Sequence, residues 1–128
     1  QTCRSRHHRR PAAHLETEMI WLRSYGDARK GGALSVLATP GDHVKGKHVL
    51  LIDGVLDKGH TMVRARQLLM EAGAAKITTV VAVDKGNAGA VASADYALYR
   101  GVTDFIVGYG MDDAGKYRAL PYIGEVSV

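Results

Sequence analysis

The sequence predicts an α/β domain built on a mostly parallel sheet flanked by helices, and three observations carry that prediction. Two apolar runs, His48 to Ile52 and Ile77 to Val83, have the composition of strands buried on both faces, as parallel strands usually are. Between them Met62, Ala65, Leu68, Leu69 and Ala72 recur at steps of three and four, which draws one apolar face on a helix. A glycine-bearing polar segment joins the first strand to that helix. A strand–loop–helix–strand unit over residues 48–83 sets its strands side by side and parallel. Such sheets take ligands at the carboxyl ends of their strands. The chain has 128 residues, enough for one hydrophobic core and too short for two.

The remaining elements follow in order. Residues 1–15 carry neither a strand nor a helix period and are expected to form an irregular basic tail, with the domain spanning 16–128. Met19 to Arg23 is a short apolar strand, in which Trp21 is expected to be a core residue. Ser24 to Gly32 is polar and glycine-rich, hence a flexible loop. Ala33 to Ala38 is a second strand, and the chain turns at Pro40-Gly41-Asp42 and again at Lys45-Gly46-Lys47. Asp53 to His60 is expected as a loop, with Thr61 capping the helix and Gly73 ending it. Asp95 to Tyr99 and Phe105 to Tyr109 add two short strands.

Composition narrows the function classes. Apolar residues make up 46% and charged residues 23% of the chain, an ordinary balance for a globular domain. The net charge of +4 is a property of the amino end. Without residues 1–10, which hold Arg4, Arg6, Arg9 and Arg10, 13 basic and 13 acidic residues remain. Nucleic acid is therefore not the expected partner. No apolar run approaches the ~18 residues of a membrane span, and the tail has no apolar core of a secretory signal. The single cysteine, Cys3, excludes an internal disulfide and fits a reducing, cytoplasmic setting. Cys3, His7, His8 and His14 lack a recognised metal-ligand spacing.

The chemistry concentrates in His48 to Met62, H-V-L-L-I-D-G-V-L-D-K-G-H-T-M. A strand brings Asp53 to its carboxyl end, and a glycine loop feeds a helix amino terminus. Unpaired N–H groups and the helix dipole meet there and favour a phosphate. Gly59 lets the backbone come close, Thr61 adds a hydroxyl, and Lys58 and His60 add positive or proton-donating groups. Gly54-x-x-x-x-Gly59-His60-Thr61 approaches the phosphate-binding loop of nucleoside triphosphatases, but His60 stands where a lysine must reach the outer phosphates. Asp57 would also put a carboxylate inside that cradle.

The segment resembles instead the phosphoribosyl-pyrophosphate (PRPP) motif of type I phosphoribosyltransferases. Asp53 matches its first acid, Val55 and Leu56 its apolar pair, Asp57 its later acid, and Gly59 and Thr61 match directly. Ser24-Tyr25-Gly26, Val83-Asp84-Lys85, Ala94-Asp95-Tyr96-Ala97-Leu98-Tyr99, Phe105 to Asp112 and Tyr117 to Gly124 extend the likeness over residues 17–126. Together they resemble the hypoxanthine-guanine branch of that family.

That resemblance implies an enzyme joining hypoxanthine or guanine to PRPP, giving IMP or GMP and pyrophosphate. Its partners would be a purine base, PRPP and a nucleotide monophosphate. Asp57 would be the acid/base beside purine N7, or else a loop-forming residue. Asp53, Lys58, Gly59, His60, Thr61 and Arg118 would bind PRPP and its phosphates, Arg118 being otherwise a surface ion-pair partner. Lys85 would meet the 6-oxo group, or be a solvated strand-end lysine. Tyr96 would stack on the base, or be a core aromatic, and the backbone of Ala97 would read the purine edge. Ser24 and Tyr25 would belong to a mobile loop closing over the site. Mg2+ would be the cofactor, held by Asp53 and Asp104 with substrate oxygens.

Two substitutions and one absence depart from the family pattern. Gly54 replaces the second ribose-binding acid, and His60 replaces the lysine of the motif. Residues 1–15 do not resemble the family's amino-terminal helix, strand and basic pyrophosphate loop. The resemblance therefore implies a domain with amino-terminal elements missing and with impaired turnover. A binding module for nucleotide or PRPP, without turnover, is the alternative. An exposed sheet edge would invite pairing with another copy, so a homo-oligomer is expected.

Overall fold

A computed structural model describes residues 15–24, 34–102 and 104–126. The chain divides into two compact units, one ending at Pro40 and the other beginning at Gly41.

In the first unit β1 (Trp21–Ser24) pairs antiparallel with β2 (Leu34–Ala38). Trp21, expected in the core, is 62% exposed. A two-stranded ribbon has no second layer of its own to bury both faces. The tail expected over residues 1–15 lies outside the described residues except for Leu15, which is exposed.

The second unit contains the parallel sheet. Strands β3 (His48–Leu56), β4 (Lys76–Asp84) and β5 (Tyr96–Arg100) lie in that order, both pairs parallel, with helix α1 (His60–Glu71) connecting β3 to β4. The predicted strand–helix–strand unit is thus present, with parallel strands. The helix buries Met62, Ala65, Leu68 and Leu69, four of the five residues of the predicted stripe. It ends as a Schellman motif: the Gly73 N–H donates to the Met70 carbonyl and the Ala74 N–H to the Leu69 carbonyl. Leu56, Met62, Val81 and Ala94 form the core cluster, with Leu51, Ala92 and Ala97 packed against it. Strands β6 (Phe105–Val107) and β7 (Gly124–Val126) make an antiparallel ribbon. No helix among the described residues is long and apolar enough to cross a membrane.

Two expectations are corrected here. The first parallel strand does not stop at Ile52. Val55 and Leu56 continue the ladder opposite Val83 and Asp84, and Leu56 is buried, so burial and pairing together carry the strand four residues further. Nor is that strand covered on both faces: Leu50 is 55% and Ile52 69% exposed. Side chains alternate across a strand, and the alternate residues Leu50 and Ile52 face open space.

An acid beside the sheet fixes the pairing of β4 and β5. Thr79 is fully buried, and its N–H and its hydroxyl both donate to the Asp95 carboxylate, at 2.7 Å each. The Asp95 N–H returns a bond to the Thr79 hydroxyl oxygen at 2.9 Å. The Thr79 backbone N–H, then its hydroxyl, hold the Asp95 carboxyl below its ordinary pKa against desolvation, helped by Arg66 and Lys76. A depressed carboxyl adds stability above its unfolded-state pKa, and that stability is lost as pH falls through the folded value.

Thr79→Val removes the hydroxyl from a buried site and strands the Asp95 N–H. The expected cost is about 1–3 kcal/mol, read from urea unfolding at pH 7. In the same assay Asp95→Asn flattens the loss of stability that the unmodified chain suffers as pH falls below the ordinary carboxylate range.

Candidate active site at the carboxyl ends of the parallel strands

The register sets Leu56 opposite Asp84 and Asp84 opposite Arg100, so all three parallel strands end at one level. Asp57, Lys58 and Gly59 follow β3 there. Gly59 has φ +84° and begins the helix, and a Cβ on it would stand 3.0 Å from both the Cβ and the amide nitrogen of Ala92. Glycine alone meets both demands without strain. Thr61, expected as the cap, lies inside the first helical turn, because Gly59 turns the chain into the helix two residues earlier. No side chain bonds the cap and no acid occupies the first turn. The leading amide groups lack intrahelical acceptors, and the dipole is positive at this end. Lys58, His60 and Thr61 are exposed around it.

The second loop, residues 85–95, is fastened to the first. The Lys85 N–H donates to the Leu56 carbonyl and the Val91 N–H to the Lys58 carbonyl, both at 2.9 Å. The Asn87 amide donates to the Asp57 carboxylate at 3.1 Å. An open cavity of about 440 Å3 is lined from Asp84 to Ser93 by this second loop, without Asp57 or Thr61.

Asp53 stands within β3, opposite Val81, three residues before the strand ends. The expected position at the carboxyl end is corrected, because the strand runs on to Leu56. One carboxylate oxygen accepts the Gly54 N–H at 2.7 Å. Desolvation raises the carboxyl above its ordinary pKa, and the Gly54 bond only partly opposes this.

Lys85 follows directly on β4, and its ammonium lies 5.9 Å from the centre of the Phe105 ring, within cation–π range. Tyr96 is placed elsewhere. It pairs with Val80, five residues before Lys85 and so roughly 16 Å back along the strand. At 65% exposure it is not a core aromatic either. Ala97, opposite Val81, is only one residue nearer the strand ends and packs against the core cluster. Phe105 is the aromatic brought to Lys85. The sequence contained that signal, since Phe105 opens the Phe105 to Asp112 segment of the family resemblance.

The backbone around Lys85 is braced by charge. Asp84 is buried; one of its carboxylate oxygens accepts from Arg100 at 2.5 Å and the other from the Gly86 N–H at 3.0 Å. Arg100 also donates to the Ala94 carbonyl at 3.1 Å. From the sequence Asp84 is named only within the Val83-Asp84-Lys85 segment, with no role of its own, and Arg100 is not singled out.

Arg118 donates to the Gly110 carbonyl and pairs with the Asp112 carboxylate, each at 2.7 Å. Asp112 also accepts the Gly115 N–H at 2.6 Å. The acid brought to Arg118 is therefore Asp112. Asp104 is exposed just ahead of β6. Among the described residues no three His, Cys, Asp or Glu side chains gather as a metal site. Ser24 ends β1, and Tyr25 lies outside the described residues.

A parallel sheet whose first strand ends in a glycine loop opening a helix defines a phosphate-binding class of α/β domain. The comparisons narrow the class. A family profile described as phosphoribosyl transferase domain matches residues 13–114, and the chain belongs to that family. It is 33% identical over 113 residues to a hypoxanthine-guanine phosphoribosyltransferase of Streptococcus pneumoniae, covering 87% of this chain and 63% of that protein. It is 32% identical to the hypoxanthine-guanine phosphoribosyltransferase of Lactococcus lactis, covering 87% of this chain and 61% of that one. The crystal structure of a hypoxanthine phosphoribosyltransferase from Staphylococcus aureus superposes with a TM-score of 0.74 at 29% identity, over 84% of this chain and 60% of that one. The chain thus spans somewhat over half the length of these relatives.

Asp53 yields a prediction of opposite signs for stability and binding. A carboxyl whose folded pKa is raised above its unfolded value costs the fold stability as pH rises between the two values, and the cost persists above both. Asp53→Asn is therefore expected to raise the urea midpoint at pH 7 and leave it unchanged near pH 2. From the ribose contact that the family resemblance leads one to expect of Asp53, the same substitution should weaken PRPP binding, measured by calorimetry.

Proposed function

We propose that the chain carries the nucleotide-forming site of a purine salvage phosphoribosyltransferase. The reaction joins hypoxanthine or guanine to PRPP and gives IMP or GMP and pyrophosphate. The supporting observation is the shared level of the strand ends. The open amino terminus of α1, suited to a 5′-phosphate, and Lys85, suited to an oxopurine, follow adjoining strand ends of one sheet, with Phe105 brought to Lys85 from the β6–β7 ribbon.

In this reading the amide groups of His60 and Thr61, the Thr61 hydroxyl and Lys58 hold the 5′-phosphate. Lys85 donates to the 6-oxo group, and Phe105, in place of Tyr96, stacks on the base. Ala97 is left to packing. Asp57 accepts or returns the proton at purine N7 as the glycosidic bond forms or breaks. Arg118, charged and on an exposed turn beside Asp112, binds pyrophosphate. Asp53 grips a ribose hydroxyl. Asp53 and Asp104 each offer one carboxylate to Mg2+, a sparse set that fits a cation carried mainly by substrate phosphates. When bound, the ion supplies charge neutralisation on the pyrophosphate.

Gly54 and His60 favour a second reading. Each removes a group that the family pattern directs at PRPP, and losses felt in the transition state lower rate more than ground-state affinity. Turnover is accordingly weak, and the alternative is a binding module for nucleotide or PRPP without turnover. We place the protein in the cytoplasm, in keeping with its single cysteine. We also propose self-association through the open sheet face, where Leu50, Ile52 and Leu98 are exposed.

Calorimetry tests the base site. IMP and GMP are expected to bind more tightly than AMP. Lys85→Ala should remove most of that preference, since a hydrogen bond to a charged group is worth about 1.5–3 kcal/mol. Phe105→Leu should weaken IMP by about 1–3 kcal/mol, the value of a base stacked on an aromatic, while Tyr96→Leu leaves it unchanged. Equal affinity for the three nucleotides would overturn the assignment. Nucleotide formation from PRPP and hypoxanthine with Mg2+ separates the two readings: any turnover lost on Asp57→Asn supports the enzyme, and none supports the binding module.

A further inference from the structure

We infer that Asn87 is a positioning residue for Asp57: its side-chain amide holds the carboxylate in the orientation that faces purine N7. The inference rests on the proposed role of Asp57 as the proton carrier at that atom.

Asn87 faces two groups at once. Its amide nitrogen donates to the Asp57 Oδ1 at 3.1 Å. Its amide oxygen accepts the Gly89 N–H at 2.9 Å. The second bond settles the first: with the oxygen turned to a backbone donor, the NH2 end must face the carboxylate. The Asn87 carbonyl in turn accepts the Ala90 N–H at 2.9 Å, so the residue sits in a closed turn and its backbone is held.

The surrounding backbone bonds make the contact informative. Lys85 to Leu56 and Val91 to Lys58 tie the two loops through main chain alone, and Gly59 abuts Ala92. These contacts dock the loops whatever side chain stands at position 87. The Asn87 bond leaves one Asp57 oxygen engaged and directs the other.

The two bonds of Asn87 can be broken separately. Asn87→Asp keeps an oxygen for Gly89, so the turn survives, but it replaces the donor with a second carboxylate opposite Asp57. Asn87→Ala loses both bonds. The readout is the ratio of affinities for 9-deazainosine 5′-monophosphate and IMP. The first carries a hydrogen on N7 and the second does not, so the ratio reports whether an acceptor is aligned there, without requiring turnover. The unmodified chain should prefer the deaza compound at least tenfold. Asn87→Asp and Asn87→Ala should both lose that preference, while their affinity for ribose 5-phosphate stays within twofold of the unmodified chain. Where turnover is measurable, both variants lower kcat with KM for PRPP unchanged.

Asn87→Asp with the preference intact would overturn the inference, since a turn-forming role alone tolerates aspartate. Loss of ribose 5-phosphate affinity in parallel would also overturn it, by showing general damage to the loops. An unmodified chain that binds IMP and the deaza compound equally would overturn the role of Asp57 itself and the inference with it, a result distinct from the first two.

Discussion

The register of β3 on β4 is the constraint on which the rest depends. Leu56 sits opposite Asp84, so the chain leaves both strands at the same height and its next residues are forced together. The bond from the Lys85 N–H to the Leu56 carbonyl continues the ladder one step beyond the strands. Gly59 then seats against Ala92, and α1 starts beside the second loop. A slip of one residue would move every side chain of β3 to the opposite face and separate the amino terminus of α1 from Lys85. The buried Thr79–Asp95 bonds fix the next register, that of β5 on β4, and Asp84 with Arg100 closes its far end.

Much of this was legible in the sequence because it depends on periodicity and on glycine. The stripe Met62, Ala65, Leu68, Leu69 gave the helix, and the two apolar runs gave a parallel pair. Gly59 and Gly73 marked the helix ends. What was not legible depends on partners distant in sequence. Nothing local distinguishes Asp53 at the end of a strand from Asp53 inside one; the difference lies in Val55 and Leu56 pairing with Val83 and Asp84. Thr61 matched a cap preference, but Gly59 supplied the turn first. The family resemblance of the Ala94 to Tyr99 segment points to Tyr96 as the aromatic beside Lys85. Parallel pairing with Val80 sends it the other way, and Phe105 arrives from a separate ribbon.

Asp53 illustrates how a site can work against its scaffold. A carboxyl held in a partly desolvated strand position is poor for stability, and the Gly54 amide offsets the cost only in part. A small residue next to it leaves room around the carboxylate, where the family pattern has a second acid. The same trade appears at Gly59, where a helix start is left without a side-chain cap, a device that elsewhere contributes about 1 kcal/mol. Both features forgo stability at positions that the proposed ligand would occupy.

The fastening of the two loops has a consequence for the thermodynamics of recognition. Binding usually costs free energy to order the segments that close on a ligand. Here the Lys85 amide, the Val91 amide and the Asn87 side chain already tie the loop after β4 to the loop after β3. On the proposed function, a nucleotide entering between them would meet a surface whose backbone is set in advance, so little of its contact energy would be consumed in ordering that backbone. Discrimination between purines would then rest on the chemistry at their edges, and differences between bases would appear in enthalpy with little compensating loss of chain entropy.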